Sequence, residues 1–270
     1  MNFLENFTIG ADPELFIYNT KTKKVVSSIG IIPGEKNKPF RTKDMPNGFG
    51  LEIDNILAEF NIPPVTNLQD WLYVMNYMKD YIRNHVKKIN SDLDILCTAS
   101  KLVPKDQLQS KEALLFGCDP DYNVYTQQVN PKPTCTSKCL RSAGFHIHFG
   151  YKNNNIESSL NMIKYLDAYL GVPSVLLDSD VKRRTLYGKA GSFRLTDYGF
   201  EYRVLSSYFL SNDKLLTWVW ERINTAINAY FLSYRLPEPD EICNAINNSD
   251  VNYAKQIIDE YELDKTILEF

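Results

Sequence analysis

The sequence lacks the features that mark several common classes of protein. No apolar run approaches the roughly 18 to 20 residues that a membrane-spanning helix needs, and residues 1–10 lack the basic stretch and apolar run of a secretory signal. With 30 Lys and Arg against 33 Asp and Glu, the net charge is −3, so we expect no general nucleic-acid-binding surface. We expect a protein of the cytoplasm, or of the host cytoplasm if a virus encodes it, with no membrane contact.

Cysteine, histidine and phosphate-binding glycine motifs are also scarce. The five cysteines are an odd number without a regular framework, which favours reduced thiols. Cys135 and Cys139 have a spacing that could bind zinc, but free thiols are the stronger expectation because no second pair lies nearby. The Gly-x4-Gly-Lys-Ser/Thr pattern of a P-loop is absent.

What remains is an ordinary globular composition, with 44% hydrophobic and 23% charged residues. Alternating segments predict a β-hairpin within 7–32, a second hairpin over 49–62 with a turn at Asp54-Asn55, and a strand at 144–151. Pro63-Pro64 is expected to end the second strand of this hairpin. We predict a single α+β domain over residues 1–270, an antiparallel sheet with helices packed on one face and a helical part at about 211–270.

Helical spacing of apolar residues predicts a long helix after a cap at Thr66 or Asn67. A second helix is predicted from about Asn155 to Leu170, stopped by Gly171 and Pro173. Further helices are predicted at 213–234, 238–247 and 250–261.

Acidic side chains alternate near the start of the chain and in the second hairpin. Asp12 and Glu14 lie two residues apart, so a strand presents both on one face. The predicted hairpin register pairs Glu52 with Leu57 and Gly50 with Glu59, which puts Glu52 and Glu59 on one face. Carboxylates gathered in this way repel one another unless a cation or solvent lies between them.

The strand at 144–151 places Phe145, Ile147 and Phe149 on one face and two histidines on the other. Two of the three histidines of the chain, His146 and His148, therefore share a face, which indicates a ligand-binding role.

Arginines are concentrated between residues 141 and 203, around a glycine-rich loop. The forked guanidinium suits phosphate and carboxylate groups, and the Gly-Lys-Ala-Gly sequence around Lys189 suits a loop lying close over a ligand. Glu201 and Arg203 share a strand face, so a simple ion pair between them is the alternative to a binding role.

In this order, these elements resemble the glutamine synthetase-like superfamily. Gly-Ala-Asp-Pro-Glu-Leu-Phe at 10–16 is similar to its Gly-x-Glu-x-Glu-Phe strand, Gly-Phe-His-Ile-His at 144–148 to its Gly-x-His-x-His strand, and Phe-Glu-Tyr-Arg at 200–203 to its Arg-x-Glu-x-Arg strand. The loop Tyr-Gly-Lys-Ala-Gly-Ser-Phe-Arg at 187–194 looks closer still to the glutamate–cysteine ligase-like branch, and within it to phage-type carboxylate–amine ligases, also called amidoligases. Two departures are Asp12, where a Glu is usual, and Gly199, where an Arg is usual.

The resemblance implies a curved antiparallel sheet that forms an active-site funnel, with ATP and Mg²⁺ (or Mn²⁺) as cofactors. It implies that Glu14 and Glu59 hold one metal ion, with Asp54 or Glu52 as a third ligand. The other implied roles are a nucleotide-side metal ion at Asp12, His146 and Glu201, phosphoryl binding by Arg194 and Arg203, and nucleotide contacts from His148, Arg184, Tyr187 and Lys189. The partners implied are a small-molecule or peptide carboxylate and an amine, whose identities and the oligomeric state stay open.

Two other functions are compatible with the same residues. A zinc metallohydrolase would use His146 and His148 as ligands with Asp12 or Glu14 activating water, but it leaves the arginine loop unused. A non-catalytic binding protein on the same fold would need no intact set of acids. The sequence favours the ligase, because a carboxylate must be activated before an amine attacks it, and metal ions with arginines can neutralise the phosphates.

Overall fold

The computed structural model describes residues 6–43, 45–114, 121–131, 137–152, 154–178 and 180–264. The strands are β1 (Phe7–Asn19), β2 (Lys24–Val26), β3 (Gly50–Asp54), β4 (Leu57–Val65), β5 (Leu93–Leu96), β6 (Ser100–Leu102), β7 (Tyr122–Asn123), β8 (Leu140–Ser142), β9 (Phe145–Tyr151), β10 (Ser192–Thr196) and β11 (Gly199–Tyr202). The helices are α1 (Leu68–Ile89), α2 (Lys111–Leu114), α3 (Ile156–Leu166), α4 (Val172–Leu177), α5 (Val181–Leu186), α6 (Asp213–Phe231), α7 (Pro239–Asn247) and α8 (Val251–Tyr261). The expected α+β class with an antiparallel sheet is confirmed.

The main sheet is built around the long strand β1. Its order is β3-β4-β1-β9-β11-β10-β7, while β2 and β5 pair with the far end of β1. All the pairings in this sheet are antiparallel. Because β1 lies between β4 and β9, acidic residues from the second hairpin and histidines from β9 flank the same strand.

One face of the sheet is covered by helices, as alternation in β9 predicts. Phe145, Ile147 and Phe149 have no measurable exposure, and Trp71 of α1 stacks on Phe145 with ring centroids 5.9 Å apart. The Trp71 indole N–H also donates to the backbone oxygen of Leu216 in α6, which joins the two long helices. Burial of these aromatic rings supplies much of the hydrophobic stabilisation and leaves the polar face of the sheet open.

The register of the second hairpin differs from the predicted one. Asp54 pairs with Leu57 and Glu52 pairs directly with Glu59, so the two-residue turn lies at Asn55-Ile56. Asn55 adopts a φ of 56°, a left-handed conformation that asparagine tolerates better than most residues. The predicted turn at Asp54-Asn55 is therefore wrong by one residue, and Asp54 ends a strand on the same face as Glu52.

Pro63-Pro64 does not end strand β4, contrary to expectation. Strand β4 continues to Val65, while its pairing with β3 stops at Asn61. The pairing of β4 with β1 is irregular here, because Ile9 faces Val65 and Ala11 faces Ile62. Prolines are tolerated where a strand has lost one neighbour and its ladder is irregular, since their missing N–H breaks no regular bond.

Gly171 and Pro173 do not stop the helix either. A π-helical turn, Asp167–Gly171, joins α3 to α4, and Pro173 occupies the first turn of α4, where its missing N–H is harmless. A side chain on Gly171 would meet the Tyr202 hydroxyl at 2.8 Å. Gly171 therefore serves close packing against the sheet rather than helix termination.

The remaining helices follow the sequence pattern closely. Asn67 caps α1 by accepting a hydrogen bond from the Asp70 amide, and Asp250 caps α8 in the same way from Tyr253. Within the described residues, no helix combines the length and apolar character needed to cross a membrane.

Candidate active site

Strand register brings the predicted acids and histidines together on the open face of the sheet. Asp12 of β1 lies opposite His146 of β9, and Glu201 of β11 lies opposite His148. On the other side of β1, Glu14 lies opposite Glu59, which itself lies opposite Glu52. Side chains two residues apart share a face, so all these groups converge from neighbouring strands.

The first cluster consists of Asp12, His146 and Glu201, whose potential ligand atoms lie within 4.8 Å of one another. His146 Nδ1 is 3.5 Å from an oxygen of Asp12 and 3.5 Å from an oxygen of Glu201. One nitrogen and two carboxylates around a common point suit a divalent cation. His148 is outside this group, with its Nε2 3.0 Å from Asp12 and its Nδ1 2.5 Å from the Tyr198 hydroxyl.

Gly144 fixes the orientation of the His146 ring. A Cβ atom at residue 144 would meet the Nε2 of His146, so only glycine leaves room for the ring to present Nδ1 to the cluster. The Gly144 amide also donates to Glu14 Oε2 at 2.6 Å. This residue therefore positions one member of each cluster, which explains why a glycine precedes the histidine strand.

The second cluster consists of Glu14, Asp54 and Glu59, whose oxygens also lie within 4.8 Å of one another. The exposed fractions of their residues are 5%, 4% and 9%, so water screens their mutual repulsion poorly. Glu52 adjoins them, and its Oε2 is buried with no hydrogen-bond partner among the described residues. An unsatisfied oxygen inside a group of buried carboxylates fits a hard cation such as Mg²⁺.

Protonation of these acids is strongly perturbed. Burial raises the pKa of Glu59 well above its ordinary value, and the charges of Asp12, Glu14 and Asp54 raise it further. Burial likewise raises the pKa of Glu14 and of Glu52, with Asp54 adding to both. The acidic cluster therefore favours either protons or a cation at neutral pH.

The pKa of Asp12 is shifted in the opposite direction, because this carboxylate faces two histidines. Burial alone would raise the pKa of Asp12, but the charge of His148 and hydrogen bonds from His146 and His148 outweigh it and lower the pKa. Burial alone would lower the pKa of His148, whereas the Asp12 charge raises it. The two clusters on either side of β1 thus differ in charge balance.

Two arginines converge on Glu201. Arg203 donates to Glu201 Oε1 through a very short contact and approaches His146 Nδ1 at 3.4 Å, while Arg194 donates to Glu201 Oε2 at 3.3 Å. The predicted alternative of an ion pair between Glu201 and Arg203 is therefore present. Its location beside the first cluster places two guanidinium groups next to a potential cation site, an arrangement suited to phosphate.

Three pockets follow one another along β1 and β9. The apolar pocket, about 400 Å³, is lined by Thr8, Gly10, Ala11, Asn61, Ile62, Pro64, His148, Gly150 and Tyr198. The central pocket, about 380 Å³, is lined by Asp12 and His146 of the first cluster, by all three acids of the second cluster, and by Lys36, Asn37, Pro39, Arg41, Glu52, Asn61, Arg194 and Arg203. The arginine pocket, about 40 Å³, includes Arg141, Arg183, Tyr187, Gly188 and Arg203 in its wall. The first two have volumes typical of small-molecule sites.

Some predicted residues lie elsewhere. Arg184 is buried, and it donates to the backbone oxygens of Gly188 and Val204 and to the Ser174 hydroxyl rather than lining one of these three pockets. Lys189 is half-buried in the loop and does not line them either, whereas Tyr187 lines the arginine pocket. Cys135 lies outside the described residues, and the candidate metal clusters among the described residues contain no cysteine.

The sequence did not single out two residues that line these pockets. Tyr198, in the turn between β10 and β11, stacks on His148 with ring centroids 6.1 Å apart. Arg183 lines the arginine pocket beside Glu14. No spacing rule marks a turn tyrosine, and of the paired arginines of α5 the resemblance implied Arg184, whereas Arg183 is the one that lines a pocket.

Comparison with known proteins supports a ligase. Residues 140–226 match a family model described as phage phiEco32-like COOH.NH2 ligase-type 2. The matched segment is roughly a third of the chain and contains His146 of β9, Arg194 of β10 and Glu201 of β11, as well as Arg203 directly after β11. No curated protein matches the chain. The match suggests a carboxylate–amine ligase, and it leaves the acids of β1 and β4 to be interpreted from geometry.

Proposed function

We propose that this chain is an ATP- and Mg²⁺-dependent carboxylate–amine ligase that forms an amide through an acyl phosphate. One observation carries the proposal: five of the six members of the two candidate cation clusters line a single central pocket, together with Arg194 and Arg203. The family match over residues 140–226 is in keeping with it. The glutamine synthetase-like funnel implied by the resemblance belongs to the same proposal.

The ligand atoms of the two candidate cation clusters suit magnesium. Among their members, His146 is the sole nitrogen ligand, and the other five are carboxylates. Oxygen-rich sites prefer Mg²⁺ or Mn²⁺, whereas zinc prefers nitrogen and sulfur. When bound, the metal ions would offset the negative charge of the phosphates and polarise the transferring phosphoryl group.

The order of the pockets suggests an orientation for the bound nucleotide, with its base in the apolar pocket and its phosphates in the central pocket. The apolar pocket has Gly10 and Gly150 in its wall and a His148–Tyr198 stack at its edge, so it offers flat space for a planar base. From there, phosphates extending along β1 would reach Asp12, Arg194 and Arg203 in the central pocket. His148 would lie beside the nucleotide, as the resemblance implies.

Residues of the chain would then act in sequence. Arg194 and Arg203 would hold the γ-phosphoryl group as it moves from ATP to a carboxylate oxygen, releasing ADP. The amine nitrogen would attack the acyl carbon, the carbon–oxygen bond to phosphate would break, and the amine would lose a proton. Glu14 and Glu59 would hold a metal ion that offsets the charge of the substrate carboxylate, and the buried walls would limit hydrolysis by water.

Calorimetric titration of Mg-ATP tests the proposal. We expect binding that requires the divalent ion and is lost in Glu14→Ala and Arg203→Ala, while the exposed Glu260→Gln variant binds as the wild type does. Carboxylate and amine libraries should then raise ADP release and yield a product whose mass matches condensation. Absence of Mg-ATP binding, or stoichiometric zinc with hydrolysis that needs no nucleotide, would refute the ligase.

A further inference from the structure

Lys36 places an ammonium group against the second cluster. Its Nζ donates to Asp54 Oδ1 at 3.1 Å, and the two side chains are 40% and 5% exposed. Asp54 is one of the three acids whose oxygens lie within 4.8 Å of one another, so a metal ion bound there would share this carboxylate. Lys36 is therefore a cation of the chain itself, located where the proposed function requires a divalent ion.

The tip of the loop between β2 and β3 presents a second donor to the same group of acids. Glu35 and Lys38 exchange two backbone hydrogen bonds, which puts Lys36 and Asn37 at the tip of a tight turn. Asn37 has a φ of 63°, a left-handed conformation that asparagine tolerates. Burial raises the pKa of Glu52, while a hydrogen bond from the Asn37 backbone amide and the charge of Lys36 oppose the rise. The tip of the loop therefore offsets part of the charge of the acids.

The base of this loop is fixed to β3. The backbones of Phe40 and Leu51 exchange two hydrogen bonds, at 2.7 and 3.1 Å. Gly34 lies at the other end of the loop with a φ of 93°, and a Cβ there would collide with the backbone oxygen of Leu51. Loss of the contact between Lys36 and Asp54 can therefore move the tip without breaking the attachment of the base.

A divalent ion and Lys36 compete for the same oxygens. Asp54 Oδ1 accepts from Lys36 and, at 3.0 Å, from the Asn55 side-chain amide, and an ammonium hydrogen and a metal ion cannot occupy the same lone pair. Nearby, Glu52 Oε2 is buried with no hydrogen-bond partner among the described residues. One ammonium group leaves this group of acids with excess negative charge, which favours its replacement by an ion of charge +2.

We propose that Lys36 is an internal counter-ion of the second cluster, which Mg²⁺ displaces when it binds there. The inference rests on the proposed function, in which Glu14, Asp54 and Glu59 hold a metal ion. The tip of the loop then moves away from the sheet. Lys36 thus sets the concentration of Mg²⁺ at which the second cluster is loaded, because a partly exposed ion pair competes with the metal ion and is still weak enough to be broken.

Calorimetric titration with Mg²⁺ alone tests the competition. We expect Lys36→Gln to tighten binding at the second cluster by about threefold or more, because the metal ion no longer displaces an ammonium group. Lys38→Gln is the matched control, since it removes the same charge from the same loop. Lys38 pairs with the exposed Glu35 at 3.4 Å, so its replacement should change the affinity by less than about 1.5-fold.

A second substitution assigns the effect to the second cluster. The gain from Lys36→Gln should disappear in a Glu59→Gln background, where the cluster has lost a ligand. A gain that persists in that background overturns the inference. So does Mg²⁺ binding that is no tighter in Lys36→Gln than in Lys38→Gln, or the absence of Mg²⁺ binding in both the wild type and Lys36→Gln.

Acylation of lysine side chains measures the release of Lys36 itself. Wild-type protein is labelled with an N-hydroxysuccinimide ester in EDTA and in saturating Mg²⁺, and the labelling rates at Lys36 and Lys38 are read by mass spectrometry. We expect Mg²⁺ to raise the rate at Lys36 by about threefold or more and to leave the rate at Lys38 unchanged. A rate at Lys36 that stays the same or falls when Mg²⁺ binds overturns the inference.

Mg-ATP titration of the same samples separates this inference from the proposed function. Normal Mg-ATP binding with equal Mg²⁺ affinity in Lys36→Gln and Lys38→Gln refutes the role of Lys36 alone. Tighter Mg²⁺ binding in Lys36→Gln, without Mg-ATP binding in any sample, refutes the ligase and leaves a metal site controlled by a lysine.

Discussion

Replacing Glu59 by Gln should stabilise the metal-free protein at neutral pH while weakening its response to Mg²⁺. Glu59 is 9% exposed and has oxygens of Glu14 and Asp54 within 4.8 Å. The substitution keeps the shape of the side chain and removes its charge. In the metal-free protein it removes repulsion, whereas in the metal-bound protein it removes a ligand, so the two effects have opposite signs.

The size of the effect follows from Coulomb's law and from protonation. One pair of unit charges at 4.8 Å repels by about 3.5 kcal/mol at an effective dielectric constant of about 20. Proton uptake limits the penalty, because the unfolded pKa is 4.5 and the free energy cost at pH 7.5 cannot exceed about 4 kcal/mol. We therefore expect Glu59→Gln to raise the free energy of unfolding by about 1 to 4 kcal/mol.

The sign of the pH dependence is fixed by the raised pKa. Between the unfolded and folded pKa values of Glu59 the folded state binds more protons, so wild-type stability falls as pH rises above 4.5. The advantage of Glu59→Gln should therefore vanish near about pH 4 and grow toward neutral pH.

Urea unfolding in EDTA from about pH 4 to pH 8, repeated in Mg²⁺, measures both effects. Glu260→Gln, an exposed glutamate in α8, is the matched control and should change stability by less than about 0.5 kcal/mol. A Glu59→Gln protein that is no more stable than wild type at pH 7.5 in EDTA, or that gains as much from Mg²⁺ as wild type does, would refute the reasoning.

Two further predictions concern residues that support the site. Burial raises the pKa of Asp167 from 3.8 to about 7 although Tyr202 and Gly191 donate to it, so wild-type stability should fall by about 1.4 kcal/mol per pH unit between these values. Asp167→Asn should flatten that slope in pH-dependent urea unfolding, and an unchanged slope would contradict the assignment. Gly144→Ala should displace the His146 ring and weaken Mg-ATP binding tenfold or more by calorimetry, and wild-type affinity in a folded variant would contradict it.

The faces of the strands could be predicted from the sequence, because alternation depends only on neighbours along the chain. His146 and His148 were placed on the face opposite Phe145, and the structure agrees. Helix positions were predictable for a similar reason, since caps and apolar spacing are local. The predicted turn of the second hairpin lies one residue too early, which shifts the predicted pairing by two residues, because two adjacent turns, Asp54-Asn55 and Asn55-Ile56, both suit the local sequence.

Pairing between distant strands could not be read from these local patterns. Asp12 meets His146 across 134 positions of the chain, and Glu14 meets Glu59 across 45, so the pairs depend on the order of strands in the sheet. The resemblance to a known superfamily supplied the grouping as an expectation, and the structure places the same residues together. Their roles as ligands stay predictions that the experiments above address.

By itself, then, the sequence determined the type of chemistry available: carboxylates, two histidines on one face and a concentration of arginines beside a glycine-rich loop. Only the tertiary structure decided which of these side chains lie together in a cluster or line the same pocket. It separated Asp12 from the acidic cluster, placed Glu52 directly opposite Glu59, and turned Arg183 toward the pocket while Arg184 bonds the loop. The physical reason is that side-chain type and period are local properties, whereas burial, charge proximity and unsatisfied donors arise from contacts between distant segments.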